Sequence, residues 1–280
     1  MDQALVESGL PKRSRLTGIG VGIAGVVDSA NGVLLSAPNL SQATVNLPLG
    51  TLLRENFGVP ARLLNDVQVA AIGEAIFGAG ANASDFLCVF VGTGVGGAYI
   101  RDGKLVRGAS GSAGEIGHLI VASGGRHCGC GGRGHLEAYA SRTAITTDIV
   151  NAIKLGRRTI LTEMVPDLRS NSGALRSGIL AKAVEAGDSL AIGAIQDAAA
   201  YLGLGLASVI NLLNPSRIVI GGGVVESVPM LFEVASQRAR QEALEVPGKT
   251  VDIVRAGLGD FSGVTGAALL GSGRAASLLR

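Results

Sequence analysis

Residues 125–141, GRHCGCGGRGHLEAYAS, set two thiols one residue apart among imidazoles and glycines. Cys128 and Cys130 follow His127 and precede His135, and all three histidines of the protein, His118 included, lie between residues 118 and 135. The spacing His-x9-Cys-x-Cys-x4-His offers His118, Cys128, Cys130 and His135 as two imidazoles and two thiolates, a suitable tetrahedral zinc set. Four closed protein ligands make a structural rather than a catalytic metal site. The competing reading is a glycine loop with incidental thiols, and the density of donors argues against it.

Two further stretches carry chemistry. In LLNDVQVAA, residues 63–71, Asn65 and Asp66 sit where an apolar strand gives way to a helix. Polar side chains at the carboxyl end of a strand line the crevice where α/β proteins bind ligands. Asn and Asp are also preferred helix caps, and taken alone the pair reads first as a cap. In VFVGTGVGGAYI, residues 89–100, a strand–glycine–strand hairpin exposes backbone N–H groups and a threonine hydroxyl through Gly92, Thr93, Gly94, Gly96 and Gly97. Such groups grip phosphate oxygens. The segment lacks the Gly-Lys-Ser/Thr ending of a Walker loop, and no helix follows it as a dinucleotide fingerprint requires. GGGVV, residues 221–225, is a related case: Gly221, Gly222 and Gly223 let an adenine or ribose approach the backbone, although a tight strand-to-helix turn alone explains them.

The elements that must position these residues alternate in type. LTGIGVGIAGVVD (16–28) reads as a buried strand ending in a glycine turn, with an Asn31-Gly32 turn after it. PLGTLLRENFG (48–58) has helical spacing ended by Gly58, PARLLND is a short strand, and VQVAAIGEAIFGAG (67–80) is helical. Residues 86–106 form a three-stranded hairpin system turning at Asp102-Gly103. Helices are expected over 141–165, 178–213 and 261–278, and a strand over 216–223. This pattern is mixed α/β.

Composition bounds the rest. The chain has 280 residues, enough for two domains of ordinary size. Only 16% of residues are charged, below the ~25% of a typical soluble chain, which suggests much buried surface and a subunit interface. Net charge is +2 with no basic block, so nucleic acid is not the expected partner. The segment 190–213 is the most apolar, but Gln196, Asp197 and Asn211 interrupt it, so a core helix is expected rather than a membrane span. The N-terminus has charges where a secretory signal needs an apolar run, and three cysteines show no disulfide pattern; a reducing cytoplasm fits.

APNL, LLND, the GTGVGG hairpin, GEIGH, CGCGGRGHLEAYAS and IVIGGGVV occur in the order and spacing of the ROK family, the repressor, open-reading-frame and kinase family of sugar kinases and sugar-sensing repressors. The chain resembles that family over nearly its whole length. The resemblance implies an actin-like ATPase (hexokinase-type) fold of two α/β domains with a cleft between them. The division implied is 1–84 for an N-terminal domain completed by the C-terminal helix 264–280, and 85–263 for a C-terminal domain. It implies a glucokinase-like reaction, ATP-dependent phosphorylation of a hexose, most often glucose, at its 6-hydroxyl, with ATP, Mg²⁺ and a structural Zn²⁺. The sugar contacts it implies fall on Asn39, Asn65, Asp66, Glu115, His118 and Glu137, with Asp66 as the catalytic base. GTGVGG matches its phosphate motif and GGGVV its adenosine motif, and His118 serves both zinc and sugar. A homodimer or homotetramer is expected, without membrane or nucleic-acid binding by this chain.

Two departures stand out. The family pattern CxCGxxGCxE reads CGCGGRGHLE here, with His135 at the third cysteine position, which leaves a Cys2His2 set. The family kinases' DxGxT phosphate motif does not occur in this sequence. The expectation is an N-terminal domain truncated at its first strands, with GIGVGI lacking a sheet neighbour. Either the protein begins upstream, or it has lost ATP chemistry and kept sugar binding, as a repressor effector domain would.

Overall fold

The structure, a computed structural model, describes residues 16–37 and 45–279. Asn39 lies outside them. The first half holds β1 (Ile19–Ile23), the hairpin β2 (Val26–Asp28) and β3 (Val33–Ser36), α1 (Leu49–Phe57), β4 (Ala61–Asn65) and α2 (Asp66–Phe77). Then come β5 (Phe86–Val91), β6 (Val95–Arg101) and β7 (Lys104–Val106), and a long loop that contains a 3₁₀ turn at Ile116–His118. Helices α3 (Glu137–Ala140), α4 (Arg142–Lys154), α5 (Leu161–Met164), α6 (Ser177–Glu185) and α7 (Ser189–Leu213) follow. The chain ends with β8 (Arg217–Gly221), α8 (Gly223–Ser227), α9 (Pro229–Glu242), α10 (Glu245–Thr250), β9 (Asp252–Arg255), α11 (Ser262–Ser272) and a last 3₁₀ turn. This is the mixed α/β architecture that the sequence pattern predicts.

Five strands form one sheet in the order β7-β6-β5-β8-β9, antiparallel on the hairpin side and parallel from β5 to β9. In the parallel part Phe90 lies opposite Gly221, so β5 and β8 end side by side. The carboxyl edge of this sheet therefore carries both glycine segments, as a ligand crevice requires. The long apolar helix α7 packs on one face of that sheet through Ala191, Ile195, Ala198, Leu202, Leu206 and Ile210. By length and composition it could cross a membrane, but that stripe is core. The other face meets α2 and α11 through Ile72, Phe86, Cys88, Val219 and Leu269.

Three expected elements are broken by local chemistry. Residues 16–28 split into β1 and β2 because Gly25 bends the chain at φ 145°, where a Cβ would lie 2.2 Å from the Ser36 carbonyl oxygen. The helix expected over 141–165 stops at Lys154, before Gly156 at φ 88°. The one expected over 178–213 is interrupted at Gly187, and Asp188 caps α7 by accepting from Ala191 N–H. At the far end Gly273 terminates α11 in the left-handed region. One expectation needs correcting: GIGVGI has a sheet neighbour. β1 pairs in parallel with β4, with Ile23 opposite Asn65, because the β2–β3 hairpin returns the chain to it through α1.

Helix α11 docks on β1 and α2 by bare backbone. A Cβ at Gly20 would lie 1.9 Å from the Ala267 carbonyl oxygen, and one at Gly18 would lie 2.1 Å from that of Gly271. A Cβ at Gly266 would lie 1.8 Å from the Val69 carbonyl oxygen. Backbone cannot swing aside as a side chain can, so Gly266→Ala should destabilise by about 1–3 kcal/mol net, despite alanine's better helix propensity. A lowered denaturation midpoint with unchanged m-value checks it.

Candidate active site

Asn65 is the last residue of β4 and the N-cap of α2. Its Oδ1 accepts from Val67 N–H at 2.9 Å and Gln68 N–H at 3.4 Å. Its Nδ2 donates to the Gly25 carbonyl at 3.2 Å, which ties the β1–β2 bend to the same spot. The cap reading of Asn65 therefore holds, and the cap also aims the residue after it. Asp66 opens α2 with its carboxylate still open to solvent, though crowded by protein. Desolvation raises its pKa above the ordinary 3.8, against hydrogen bonds that pull it down. Asp66 borders two small pockets, one walled by Gly20, Val21, Gly263 and Ala267, the other by Phe90, Gly222, Gly259 and Asp260.

Across from Asp66 lies the loop that carries Glu115. Burial raises the Glu115 pKa first, the charges of Asp66 and Glu137 add to that, and His118 opposes it. His118, Asp66 and Glu137 are thus each within electrostatic reach of Glu115. Gln68, buried one turn into α2, donates from Nε2 to the Gly111 carbonyl at 2.9 Å and holds that loop against the helix. Sequence reasoning missed Gln68, whose partner is a backbone carbonyl with no side-chain signature.

Glu137, first residue of α3, sits between the glycine hairpin and the cysteine loop. Its Oε2 accepts from Val95 N–H at 3.0 Å, and its Oε1 lies 3.6 Å from the Cys128 sulfur. A Cβ at Gly94 would lie 2.3 Å from Oε2, so only glycine admits the carboxylate here. The β5–β6 turn is further clamped by α4: Arg142 N–H donates to the Gly92 carbonyl at 2.9 Å and its guanidinium to Thr93 Oγ1 at 2.9 Å. The N–H groups of Thr93 and Gly94 have no acceptor among the described residues. Gly96 and Gly97 do different work. Their faces are closed by Val67 and by the Gly114 carbonyl, so they let α2 and the Glu115 loop approach the hairpin. Gly221 is likewise covered, by Ala256 and Phe90, whereas Gly222 turns at φ 97° against Val91 and Gly223 is open.

The four cysteine-loop donors converge. One ligand atom from each of His118, Cys128, Cys130 and His135 lies within 4.8 Å of the others. His118 Nδ1 is 4.0 Å from the Cys128 sulfur, and His135 Nδ1 is 3.2 Å from that of Cys130. Both imidazoles thus face inward through Nδ1, and the rings meet edge to face at 5.3 Å. The loop folds that way because Cys128 N–H donates to Gly132 O, Gly131 turns at φ 92°, and Gly132 N–H donates to the Cys130 sulfur. A Cβ at Gly132 would lie 2.3 Å from the His135 ring, so the glycine accommodates the bulkier ligand. His127 does not join them; it pairs with Arg133 across the loop and borders a cleft of about 550 Å³ with Arg126, Glu137 and Asp148. Without a cation, burial pushes the Cys128 thiol up to about 11, with the Cys130 side chain and Glu137 adding to it and a backbone hydrogen bond at Cys130 opposing. The donor set suits zinc in number, type and convergence.

The profile of the ROK family matches residues 3–274. The chain is 35% identical over 263 residues to a glucokinase of Halalkalibacterium halodurans, covering 91% of this chain and 76% of that protein. It is 32% identical over 259 residues to the DNA-binding transcriptional repressor Mlc of Escherichia coli, covering 92% of this chain and 61% of the repressor. Among solved structures, a ROK family glucokinase from Streptomyces griseus in complex with glucose and AMPPNP superposes with TM-score 0.82 at 30% identity, over 96% of this chain and 86% of that one.

Proposed function

The chain belongs to the ROK family, and from that premise we propose that it phosphorylates a hexose, glucose foremost, at the 6-hydroxyl with ATP. The observation that carries this reading is the placement of Asp66. A carboxylate freed at a helix start, beside a capping amide and within electrostatic reach of Glu115, can hold a sugar hydroxyl and take its proton. Asn65, Asp66, Glu115, His118 and Glu137, with Asn39, are the proposed sugar contacts. The free N–H groups of Thr93 and Gly94 receive phosphate oxygens, and the Gly222–Gly223 turn receives the nucleoside. ATP, as its magnesium complex, supplies the phosphoryl group.

Zinc is proposed at His118, Cys128, Cys130 and His135, where it fixes a loop. With Nδ1 of His118 committed inward, the other ring nitrogen is left for the sugar side, and coordination sets its tautomer. Two α/β domains, 1–84 with the C-terminal helix and 85–263, are proposed to flank the cleft. A cytoplasmic homodimer or homotetramer completes the proposal; exposed Leu212, Leu244 and Val246 offer an apolar surface for assembly.

A second reading has support in the similarity to the repressor: a sugar-responsive effector domain that binds hexose without turnover. A coupled phosphorylation assay with several hexoses, beside calorimetry on the same protein, separates them. ATP-dependent turnover is expected. Hexose binding with no turnover would establish the effector reading instead.

A further inference from the structure

Glu74, on α2, belongs to no motif, yet its side chain is wholly buried. Its carboxylate is met by four donors. Oε2 accepts from Ala79 N–H at 2.7 Å and Gly257 N–H at 2.9 Å. Oε1 accepts from Leu258 N–H at 3.0 Å and the Ser262 hydroxyl at 2.7 Å. No cation pairs with it among the described residues. A buried charge is costly unless fully hydrogen-bonded, and this one is satisfied by donors that the rest of the fold could have left elsewhere.

The position of those donors gives the arrangement its meaning. The chain passes from α2 to the five-stranded sheet through residues 78–85 and returns from β9 to α11 through residues 256–261. Ala79 lies in the first crossing, Gly257 and Leu258 in the second, and Ser262 opens α11. The two crossings also touch: a Cβ at Gly257 would lie 2.8 Å from Ala79 N. Arg217 on β8 grips the Ala79 carbonyl from the sheet side at 2.7 Å. One carboxylate therefore joins both crossings to the helix whose first residue is Asp66. Gly259 and Asp260, at the end of the second crossing, and Gly263, just beyond it, share a pocket of about 200 Å³ with Asp66 and Gly222.

We propose that Glu74 is a positioning residue for the nucleotide side of the site, pinning both crossings so that Asp66 and the 259–263 wall keep one relative placement. This rests on the kinase reading for its effect on turnover, but the pinning itself does not. None of the proposed sugar contacts lies in the pinned crossings.

Glu74→Gln keeps the shape and replaces one acceptor oxygen by a donor, which then faces N–H groups. The expected result is a kcat about tenfold or more lower and a raised KM for ATP, with hexose affinity by calorimetry and metal content held near wild type. Glu74→Asp, which keeps the charge, should recover part of the ATP effect. Hydrogen exchange should show faster amides in 78–85 and 256–262 together, with or without nucleotide. If Glu74→Gln does not fold, Ser262→Ala removes one donor of four and should show the same paired loosening in milder form. Unchanged exchange at both crossings, or hexose affinity falling as far as ATP affinity, overturns the proposal. A wild-type protein without turnover overturns the kinase reading alone, since the exchange result stands apart from it.

Discussion

Asp66→Asn is expected to lower kcat for hexose phosphorylation by about 10²–10⁴-fold, the usual contribution of a positioned general base. Asparagine keeps the size of the side chain and one acceptor oxygen, so the hexose should bind within about threefold of wild type, and the loss should fall on kcat rather than KM. The local fold should survive, because the cap of α2 belongs to Asn65 and the register of β4 against β1 does not involve the Asp66 side chain. The pH profile gives a second readout. Asp66 works only when ionised, so activity is lost as pH falls through its pKa, and desolvation has raised that pKa above the ordinary 3.8. The acidic limb of kcat/KM should therefore lie at higher pH than for an exposed aspartate, and Asp66→Asn should abolish the limb together with the rate. Near-wild-type turnover in this variant would remove Asp66 from the role of base.

Removal of zinc is expected to have the next largest effect. Protein purified without chelators should carry about one zinc per chain, the stoichiometry of a four-ligand structural site. Cys128→Ser should abolish that metal and weaken hexose binding about tenfold or more, since even the outer partners of a metal site are worth 10–100-fold. The route runs through two residues. His118 loses the partner that fixes its ring, and the Glu137 carboxylate loses the loop that packs 3.6 Å from its Oε1. Metal binding must also displace the proton from Cys128, whose pKa without metal is about 11, so zinc affinity should fall as pH is lowered. Metal analysis and calorimetry with glucose decide the matter. Metal-free protein that binds glucose as tightly as the zinc form would show the loop to be ordered by its own hydrogen bonds.

The parts of the site that were legible in the sequence are those written by side-chain type or by glycine at a turn. The Asn65-Asp66 pair sits where β4 gives way to α2 as expected, the hairpin turns at Gly92–Gly94, and the four sulfur and nitrogen donors meet. Gly156 and Gly187 signalled helix ends, but apolar spacing on either side outweighed them and the segments read as continuous. What stayed hidden are contacts to backbone. Gln68 reaches the Gly111 carbonyl, and Glu74 reaches amides more than 180 residues away. Any residue except proline offers such an amide, so nothing in the sequence marks the partner. The glycines of the two motifs show the same ambiguity from the other side. Gly94 and Gly222 are required by the turn and its neighbours, while Gly96, Gly97 and Gly221 are required by packing. The letter is identical in each case, and only three-dimensional proximity tells them apart.

The docking of α11 on β1 and α2 has a consequence for biogenesis. Gly18, Gly20 and Gly73 present bare backbone that receives Ala267, Gly271, Ser262 and Gly266, residues more than 180 positions later. Contacts so distant in sequence are slow to form and are made late. During synthesis, β1, β4 and α2 emerge from the ribosome long before their covering helix exists. The nascent first half must therefore wait with an apolar face open, a state prone to aggregation and a natural client for chaperones. A chain ended before Ser262 and released from the ribosome should keep a five-stranded sheet that resists protease, while β1, β4 and α2 are cut readily.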